Sequence, residues 1–188
     1  MGLEKRCRRR IIMDEAENIL DAGDIDRILT RMAHQILDAR RGAQRLALAG
    51  IQTRGVFIAQ RLQEKIFGIE GRRIPAGTMD IALYRDDWTH MRHNPKVQST
   101  DLPFAVDGRE IILVDDVLFT GRTIRAAMDE IMDFGRPDRI DLAVLIDRGH
   151  RELPIQGNYV GRYVRTRRSE TVNVQLQEHD GEDRVFIC

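Results

Sequence analysis

The sequence lacks most of the features that mark secreted, zinc-binding or membrane proteins. It contains only two cysteines, Cys7 and Cys188, which lie near opposite ends of the 188 residues and have no CxxC partner. Neither a disulfide framework nor a zinc site is therefore indicated, and a reducing compartment fits. No apolar run approaches the ~20 residues that a membrane helix needs, and no signal-peptide core follows the basic N-terminus. We expect a cytoplasmic protein that has no membrane partner.

A net charge is also missing, because 30 basic residues balance 30 acidic residues. No overall field attracts the whole molecule to nucleic acid, although basic residues are concentrated in 1–10 and 148–168. The length and the 42% of hydrophobic residues suit one core rather than two. We therefore expect a single domain at 18–188, preceded by a basic arm at 1–17 that is a candidate for disorder.

Hydrophobic periodicity predicts strands that alternate with helices. Strands are expected at 46–49, 81–84, 110–114, 142–146, 172–176 and 184–187, and helices from Asp21 or Asp24 to Arg40, at 56–67 and at 122–134. This order is typical of an α/β fold with a mostly parallel central sheet flanked by helices, completed by a C-terminal β hairpin. Residues 85–107 have little periodicity, and a loop of that length is usually a lid, another functional loop or disordered.

Polar residues follow the predicted strand at 110–114. In an open parallel sheet, ligands bind beyond the carboxyl ends of the strands, where Asp115 and Asp116 are expected. Residues 120–123 then begin a helix, whose free backbone N–H groups and dipole favour a phosphate. The paired carboxylates suit the vicinal hydroxyls of a ribose, either directly or through hydrated Mg²⁺. A mere helix cap is the alternative, but two carboxylates at the end of a buried strand ordinarily need a cation.

The segment VDDVLFTGRT at 114–123 resembles the phosphoribosyl pyrophosphate motif of the type I phosphoribosyltransferases. More narrowly, the chain from about Asn18 onwards resembles the family of bifunctional pyrimidine operon attenuators and uracil phosphoribosyltransferases. Four further segments carry that likeness, at 30–34, 50–55, 80–87 and 145–154. The resemblance implies the type I phosphoribosyltransferase fold, with a flexible lid loop over the site.

The resemblance also implies roles for individual residues. Asp115 and Asp116 would hold the ribose hydroxyls and Mg²⁺, and Arg54 and Arg85 would stabilise the leaving pyrophosphate. Arg85 follows Tyr84 and precedes Asp86 at the start of the lid, and without the resemblance it reads as a solvated side chain. The implied set for phosphoribosyl pyrophosphate and nucleotide is Thr53, Arg54, Arg85, Asp115, Asp116, Val117, Leu118, Phe119, Thr120, Gly121, Arg122 and Thr123.

The implied reaction transfers ribose 5-phosphate to N1 of uracil, which gives uridine monophosphate and pyrophosphate. Ile146, Arg148 and Val172 would line the uracil pocket. The proton of uracil needs a base, for which Asp116 is only a candidate, so this role stays unassigned.

A second implied activity is the binding of pyrimidine-operon leader RNA, strengthened by uridine nucleotides and opposed by guanosine nucleotides. Thr30, Arg31, His34, Arg151 and Arg162 match the RNA-facing positions of the family. The chain departs from the pattern at Gln156, where relatives commonly carry arginine, while Arg165, Arg167 and Arg168 add charge nearby. A basic surface large enough for a hairpin favours a homodimer or a larger homo-oligomer.

Several alternatives stay open at this point. The chain could be an enzyme without RNA binding, or an RNA-binding regulator with vestigial catalysis. Transfer to a purine is opposed by the segment 148–154. A phosphatase of the haloacid dehalogenase type would need Asp-x-Asp, whereas Asp115 and Asp116 are adjacent. The sequence also lacks the GxxxxGKS/T and GxGxxG motifs of nucleotide-binding loops.

Overall fold

The computed structural model describes residues 17–40, 42–81 and 100–188. Its strands are β1 (Glu17–Asp21), β2 (Leu46–Ile51), β3 (Ala76–Met79), β4 (Glu110–Leu118), β5 (Arg139–Asp147), β6 (Tyr159–Tyr163), β7 (Val172–Gln175) and β8 (Arg184–Ile187). Its helices are α1 (Ala22–Arg40), α2 (Arg54–Glu70), α3 (Arg122–Phe134) and α4 (Gln177–Asp180). Most of the expected N-terminal arm and of the lid, with Tyr84, Arg85 and Asp86, lies outside the described residues.

The central sheet has five strands in the order β3-β2-β4-β5-β6, and every neighbouring pair is parallel. Apolar residues alternate along its strands between two cores. Leu48, Val114 and Leu145 belong to the core that α1 and α2 cover. Ala49, Leu113 and Val144 belong to the core that α3 covers. The predicted α/β fold with helices on both faces of a parallel sheet is therefore confirmed.

A second sheet of three strands has the order β1-β8-β7. β7 and β8 are antiparallel, which confirms the predicted C-terminal hairpin, and α4 lies between them. β1 pairs with the outer side of β8, with Glu17 opposite Ile187. β1 was not predicted, because only Leu20 of its five residues is buried and the segment therefore has no apolar alternation.

Of the strand predicted at 81–84, residues 82–84 lie outside the described residues, and Ile81 follows the end of a strand that was not predicted, β3 at Ala76–Met79. This strand was missed because alanine and glycine have low strand propensity and give no clear alternation. β4, in turn, continues for four residues beyond the predicted end at 114, since Val117 and Leu118 still pair with β5.

An ion-pair network lies near the amino ends of the strands. Arg40, the last residue of α1, contacts the carboxylate of Asp141 on β5, which is only 2% exposed. Asp141 also accepts hydrogen bonds from Arg139 Nε at 2.8 Å and from the Tyr159 hydroxyl at 3.3 Å. Arg40 Nε lies 3.5 Å from a carboxylate oxygen of Glu110. The network connects α1 to β4 and β5.

Glu130, on the buried face of α3, is a carboxylate with incomplete hydrogen bonding. One oxygen accepts a hydrogen bond from Thr100, and Oε2 has no partner among the described residues. Burial raises the pKa of Glu130, although the Thr100 hydrogen bond opposes the shift. A raised pKa in the folded state means that ionisation costs stability as the pH rises through it.

We therefore expect Glu130→Gln to stabilise the protein at neutral pH by an amount on the order of 1 kcal/mol, because it removes a buried charge. The gain should shrink at acid pH, where the wild-type carboxyl is already protonated. Urea unfolding at several pH values measures this effect. A constant difference across the pH range would contradict the assignment of the cost to ionisation.

Candidate active site

Asp115 and Asp116 lie near the carboxyl end of β4. Asp115 is buried, and its Oδ1 accepts a hydrogen bond from the backbone N–H of Asp116 at 2.9 Å. Asp116 Oδ1 accepts from the N–H of Val117 at 2.8 Å. Burial raises the pKa of Asp116, while the Val117 hydrogen bond and the charge of Arg54 oppose that shift. The pair is thus a concentrated negative site that a cation stabilises.

The segment after β4 presents the N-terminus of α3. Gly121 precedes the helix with a φ of 93° and offers no side-chain cap, and Thr120 Oγ1 accepts a hydrogen bond from the N–H of Arg122 at 3.4 Å. A Cβ at Gly121 would lie 3.3 Å from Ile155, so both conformation and space favour glycine. Free N–H groups at a helix N-terminus bind phosphate, assisted by the helix dipole. This geometry suits the 5'-phosphate of a ribose phosphate.

A second loop, between β2 and α2, packs against the same strand. The peptide bond between Gln52 and Thr53 is cis, and Thr53 is exposed. A Cβ at Gly55 would lie 2.5 Å from the carbonyl oxygen of Val114 and 3.2 Å from the Asp115 Cα. Only glycine permits this approach, which places the start of α2 directly on β4. Arg54 is consequently close enough for an attractive charge interaction with Asp116.

Asp180, in the turn of the C-terminal hairpin, also binds Arg54. Arg54 Nε and Nη2 donate to the two carboxylate oxygens of Asp180 at 3.0 and 2.8 Å. Two helical turns further along α2, Arg61 Nη2 lies 2.7 Å from Oε2 of Glu178 and 2.7 Å from Oδ1 of Asp183. The C-terminal hairpin was predicted without these contacts between α2 and the acidic turn at 178–183. The signal was present in the spacing of Arg54 and Arg61, which places them on one side of a helix.

The residues predicted to bind uracil lie beside the segment at 114–123, which we call the phosphoribosyl loop. Ile146 and Val172 belong to the same hydrophobic core, although they come from the central sheet and the hairpin. The guanidinium of Arg148 lies 4.2 Å from the centre of the Phe119 ring. Arg148 donates to Thr166 Oγ1 at 3.2 Å and to the Arg167 carbonyl at 2.9 Å, and burial lowers its pKa. Arg148 therefore supports the loop that carries Phe119.

Arg151 has an internal role in this structure. It pairs with Asp147 and donates to the carbonyl oxygens of Phe119 at 2.8 Å and Ile155 at 2.9 Å. These contacts join the phosphoribosyl loop to the segment after β5. A cavity of about 740 Å³ opens beside it, lined in part by Arg148, His150, Arg151, Tyr163 and Arg165. Contact between Arg151 and RNA stays a prediction.

The other predicted RNA residues lie on one surface. Arg31 and His34 are exposed on α1, and Arg31 donates to the carbonyl oxygens of Val160 and Gly161 on β6. Arg162, the next residue on β6, is exposed and donates to the Ile19 carbonyl at 2.9 Å. Thr30 donates to the Asp26 carbonyl at 2.9 Å and accepts from Lys65 at 2.8 Å. We call Thr30, Arg31, His34 and Arg162 the α1–β6 surface.

The two carboxylates at the end of β4 suit a Mg²⁺ ion that binds together with a phosphorylated substrate. No cluster of three or more potential metal ligands occurs within 17–40, 42–81 and 100–188. Mg²⁺ usually keeps several waters and binds through one or two carboxylates together with substrate phosphates. Asp115 and Asp116 supply such carboxylates. None of the helices described has the length and apolar character required to span a membrane.

Comparison with known proteins gives relatives along nearly the whole chain. The model of the phosphoribosyl transferase domain family matches residues 15–178. A protein described as bifunctional protein PyrR from Pelotomaculum thermopropionicum is 57% identical over 173 residues, which cover 92% of this chain and 96% of the relative. The bifunctional protein PyrR of Thermus thermophilus is 53% identical over 169 residues, which cover 90% and 93%.

Solved structures with the same fold are hypoxanthine phosphoribosyltransferases. The enzyme from Trypanosoma cruzi has a TM-score of 0.70 at 15% identity and covers 91% of this chain and 95% of its own. The enzyme from Staphylococcus aureus has a TM-score of 0.67 at 19% identity, with 90% of each chain covered. At these identities the likeness concerns the fold alone, and the preference for a base has to come from the site.

Proposed function

The chain belongs to the phosphoribosyltransferase family and, within it, to the bifunctional PyrR proteins, and on this premise we propose that it transfers ribose 5-phosphate from phosphoribosyl pyrophosphate to uracil. We also propose that it regulates pyrimidine genes by binding their leader RNA when uridine monophosphate is bound. The main support is the meeting of Asp115, Asp116 and the open N-terminus of α3 at one end of β4, with Arg54 beside them.

Each part of phosphoribosyl pyrophosphate has a counterpart in this arrangement. The 5'-phosphate would bind the N–H groups at the start of α3, next to Thr120 and Thr123. The ribose hydroxyls would bind Asp115 and Asp116. The pyrophosphate would bind Thr53 and Arg54 at the start of α2, with Arg85, which lies outside the described residues, as a further proposed partner. In this arrangement the 5'-phosphate and the pyrophosphate would bind at the N-termini of two different helices, α3 and α2.

Catalysis would be mainly electrostatic. Breaking the bond at C1' leaves negative charge on pyrophosphate, and the guanidinium of Arg54 would stabilise that charge as it develops. Asp115 and Asp116 would hold Mg²⁺, which supplies further neutralisation of the phosphate oxygens when it is bound. The half-buried residue Asp116 is also the candidate base for uracil, because its raised pKa makes its carboxylate a better proton acceptor than an ordinary aspartate.

Base selection would use the other side of the site. Ile146 and Val172 offer an apolar wall, and the backbone of 146–150 offers hydrogen-bond groups at the end of β5. Arg148 is already committed to Thr166 and the Arg167 carbonyl, so we propose that it shapes this wall through Phe119. A pyrimidine would then be recognised mainly by the backbone and by the size of the pocket.

Leader RNA would bind the α1–β6 surface. Arg31 and Arg162 hold their guanidinium groups against backbone carbonyls, which orders both charges. Ordered arginines suit phosphate and 2'-hydroxyl contacts in a structured RNA. An assembly of two or more copies would enlarge the surface. The exposed apolar residues Phe67, Ile69, Met132 and Phe134 are candidates for contact between copies.

One preparation tested in two assays decides between the alternatives. We expect it to convert uracil and phosphoribosyl pyrophosphate to uridine monophosphate, and to shift its own pyrimidine-operon leader RNA more strongly than a scrambled RNA. Turnover without selective shift would leave an enzyme only, whereas a selective shift without turnover would leave a regulator only. Conversion of hypoxanthine in preference to uracil would overturn the assigned base.

Arg31→Ala is expected to separate the two activities. RNA affinity should fall about tenfold or more, since an arginine contact is worth ~1–3 kcal/mol, and uracil turnover should remain near wild type. The dependence of affinity on salt should also weaken, because fewer counterions are released. Gel shift at several salt concentrations, together with a turnover assay, measures both effects.

Arg73→Ala is the matched control for this variant. Arg73 follows α2, away from the α1–β6 surface, and pairs with Glu64 at 2.6 Å. The Arg73→Ala variant loses the same charge as Arg31→Ala. An equal fall of RNA affinity in the two variants would therefore indicate a nonspecific charge effect. Loss of both activities in Arg31→Ala would contradict separate surfaces.

A further inference from the structure

The acidic turn of the C-terminal hairpin reaches the start of α2, where the proposed pyrophosphate site lies. We propose that Asp180 is a positioning residue, which holds the guanidinium of Arg54 in the orientation that binds the pyrophosphate of the substrate. This inference rests on the proposed function, because it assumes that Arg54 contacts pyrophosphate. It assigns to the hairpin a part in binding phosphoribosyl pyrophosphate that lies outside the phosphoribosyl motif.

The contact has the geometry of a two-point restraint. Arg54 Nε lies 3.0 Å from Oδ2 of Asp180, and Arg54 Nη2 lies 2.8 Å from Oδ1. Parallel hydrogen bonds of this kind fix the plane of the guanidinium as well as its position. Oδ2 of Asp180 also accepts the backbone N–H of Leu176 at 2.9 Å, so the carboxylate is itself anchored to the hairpin. A single flexible ion pair would not fix the plane of the Arg54 guanidinium in this way.

The restraint leaves one side of Arg54 for the substrate. Because the pair uses the Nε–Nη2 edge, Nη1 lies on the far side of the guanidinium from Asp180. The second carboxylate that favours the charged form of Arg54 is Asp116, on the phosphoribosyl loop. Arg54 is therefore attracted both by the hairpin and by the loop that would hold the ribose. Phosphate oxygens placed near Asp116 through Mg²⁺ would meet an arginine that is already oriented.

Docking of the hairpin does not depend on Asp180 alone. Arg61 donates to Glu178 and Asp183, and these contacts join the same turn to α2 without involving Arg54. The Phe57 and His179 rings are also stacked, with centroids 6.3 Å apart. The chain thus contains two neighbouring clamps of similar chemistry, of which only one includes a proposed substrate residue. This separation makes the positioning role testable.

Preorganisation is the physical reason for the expected effect. A free arginine side chain populates many rotamers, and substrate binding has to offset the entropy that is lost when one of them is fixed. A fixed guanidinium avoids that cost and presents its donors where negative charge develops. Loss of the restraint should therefore affect the binding of pyrophosphate-bearing ligands more than the binding of uracil.

Asp180→Asn is the decisive variant. We expect its kcat/KM for phosphoribosyl pyrophosphate to fall about tenfold to a hundredfold, the range that follows misplacement of a positioned group, with little change in the KM for uracil. Titration calorimetry with phosphoribosyl pyrophosphate and Mg²⁺ should show a matching loss of affinity. Glu178→Gln is the control, since it weakens the neighbouring clamp and should reduce thermal stability without a comparable loss of substrate affinity.

A double-mutant cycle tests whether Asp180 acts through Arg54. In an Arg54→Ala background, Asp180→Asn should cause no further loss of affinity, because no guanidinium is left to orient. Equal losses in Asp180→Asn and Glu178→Gln, or full additivity in the cycle, would overturn the inference. Wild-type protein that binds phosphoribosyl pyrophosphate but makes no uridine monophosphate would instead contradict the proposed reaction, and the binding comparison would still decide the role of Asp180.

Discussion

Asp116→Asn is expected to reduce the turnover of phosphoribosyl pyrophosphate by a factor of about 10² to 10³, the size of effect seen when one preorganised electrostatic group is lost. The substitution keeps the shape of the side chain and removes the negative charge that would bind Mg²⁺ and the ribose. The apparent affinity for Mg²⁺ should fall in parallel. Initial rates measured over a range of Mg²⁺ concentrations detect both changes.

The fold should not suffer from this substitution. Burial raises the pKa of the Asp116 carboxyl, so ionisation of this group is less favourable in the folded protein than in the unfolded chain. The stability associated with the raised pKa is lost as the pH rises, and asparagine avoids that loss at neutral pH. The melting temperature of Asp116→Asn should therefore equal or exceed that of the wild type.

Asp129→Asn is the control for Asp116→Asn. Asp129 lies on α3 beside Arg125, with its side chain 47% exposed. Its substitution makes the same change of charge, but away from the end of β4. It should leave turnover unchanged. Full turnover in Asp116→Asn would refute its assignment to the site, and a lower melting temperature would show that the loss of activity came from unfolding.

Arg40→Ala is expected to lower the free energy of unfolding by about 3 kcal/mol, at the lower end of the range for breaking a buried ion pair. The variant leaves the Asp141 carboxylate, which is 2% exposed, without its arginine partner from α1. The lower end applies because Arg139 and Tyr159 still donate to Asp141. Urea unfolding followed by circular dichroism measures the change.

Two comparisons isolate the cause of this loss. Arg73→Ala breaks an ion pair whose side chains are 53% and 58% exposed, and it should cost no more than about 1 kcal/mol. Asp141→Asn added to Arg40→Ala should recover part of the stability, because it removes the buried charge. If the double variant is less stable than Arg40→Ala, desolvation of Asp141 is not the main cost.

Local sequence patterns predicted the parts of the fold in which burial follows a regular period. The continuous apolar runs within 110–114 and 142–146 identified the centre of the sheet, because these strands are buried on both faces. Small residues in β3 and polar residues in β1 gave no such period. Their strands form because neighbouring strands offer hydrogen bonds, and that information lies far away in the sequence.

The candidate site divides in the same way. Adjacent carboxylates and a glycine before a helix are local features, and they are sufficient to predict the loop at 115–123 from the sequence. Asp180 is 126 residues from Arg54, and its role depends on the hairpin folding back onto α2. Arg151 is a different case: the family resemblance implied an RNA contact, which stays a prediction, and in the structure Arg151 donates to the carbonyl oxygens of Phe119 and Ile155.

The pairing of β1 with β8 has a consequence for the topology of the polypeptide. Glu17 is opposite Ile187 in an antiparallel ladder, so the first and last described strands begin and end side by side. A short glycine-rich connector would therefore suffice to join position 17 to position 188 in a circular permutant. New termini between α3 and β5, at the exposed residue Arg136, would then leave both sheets uninterrupted.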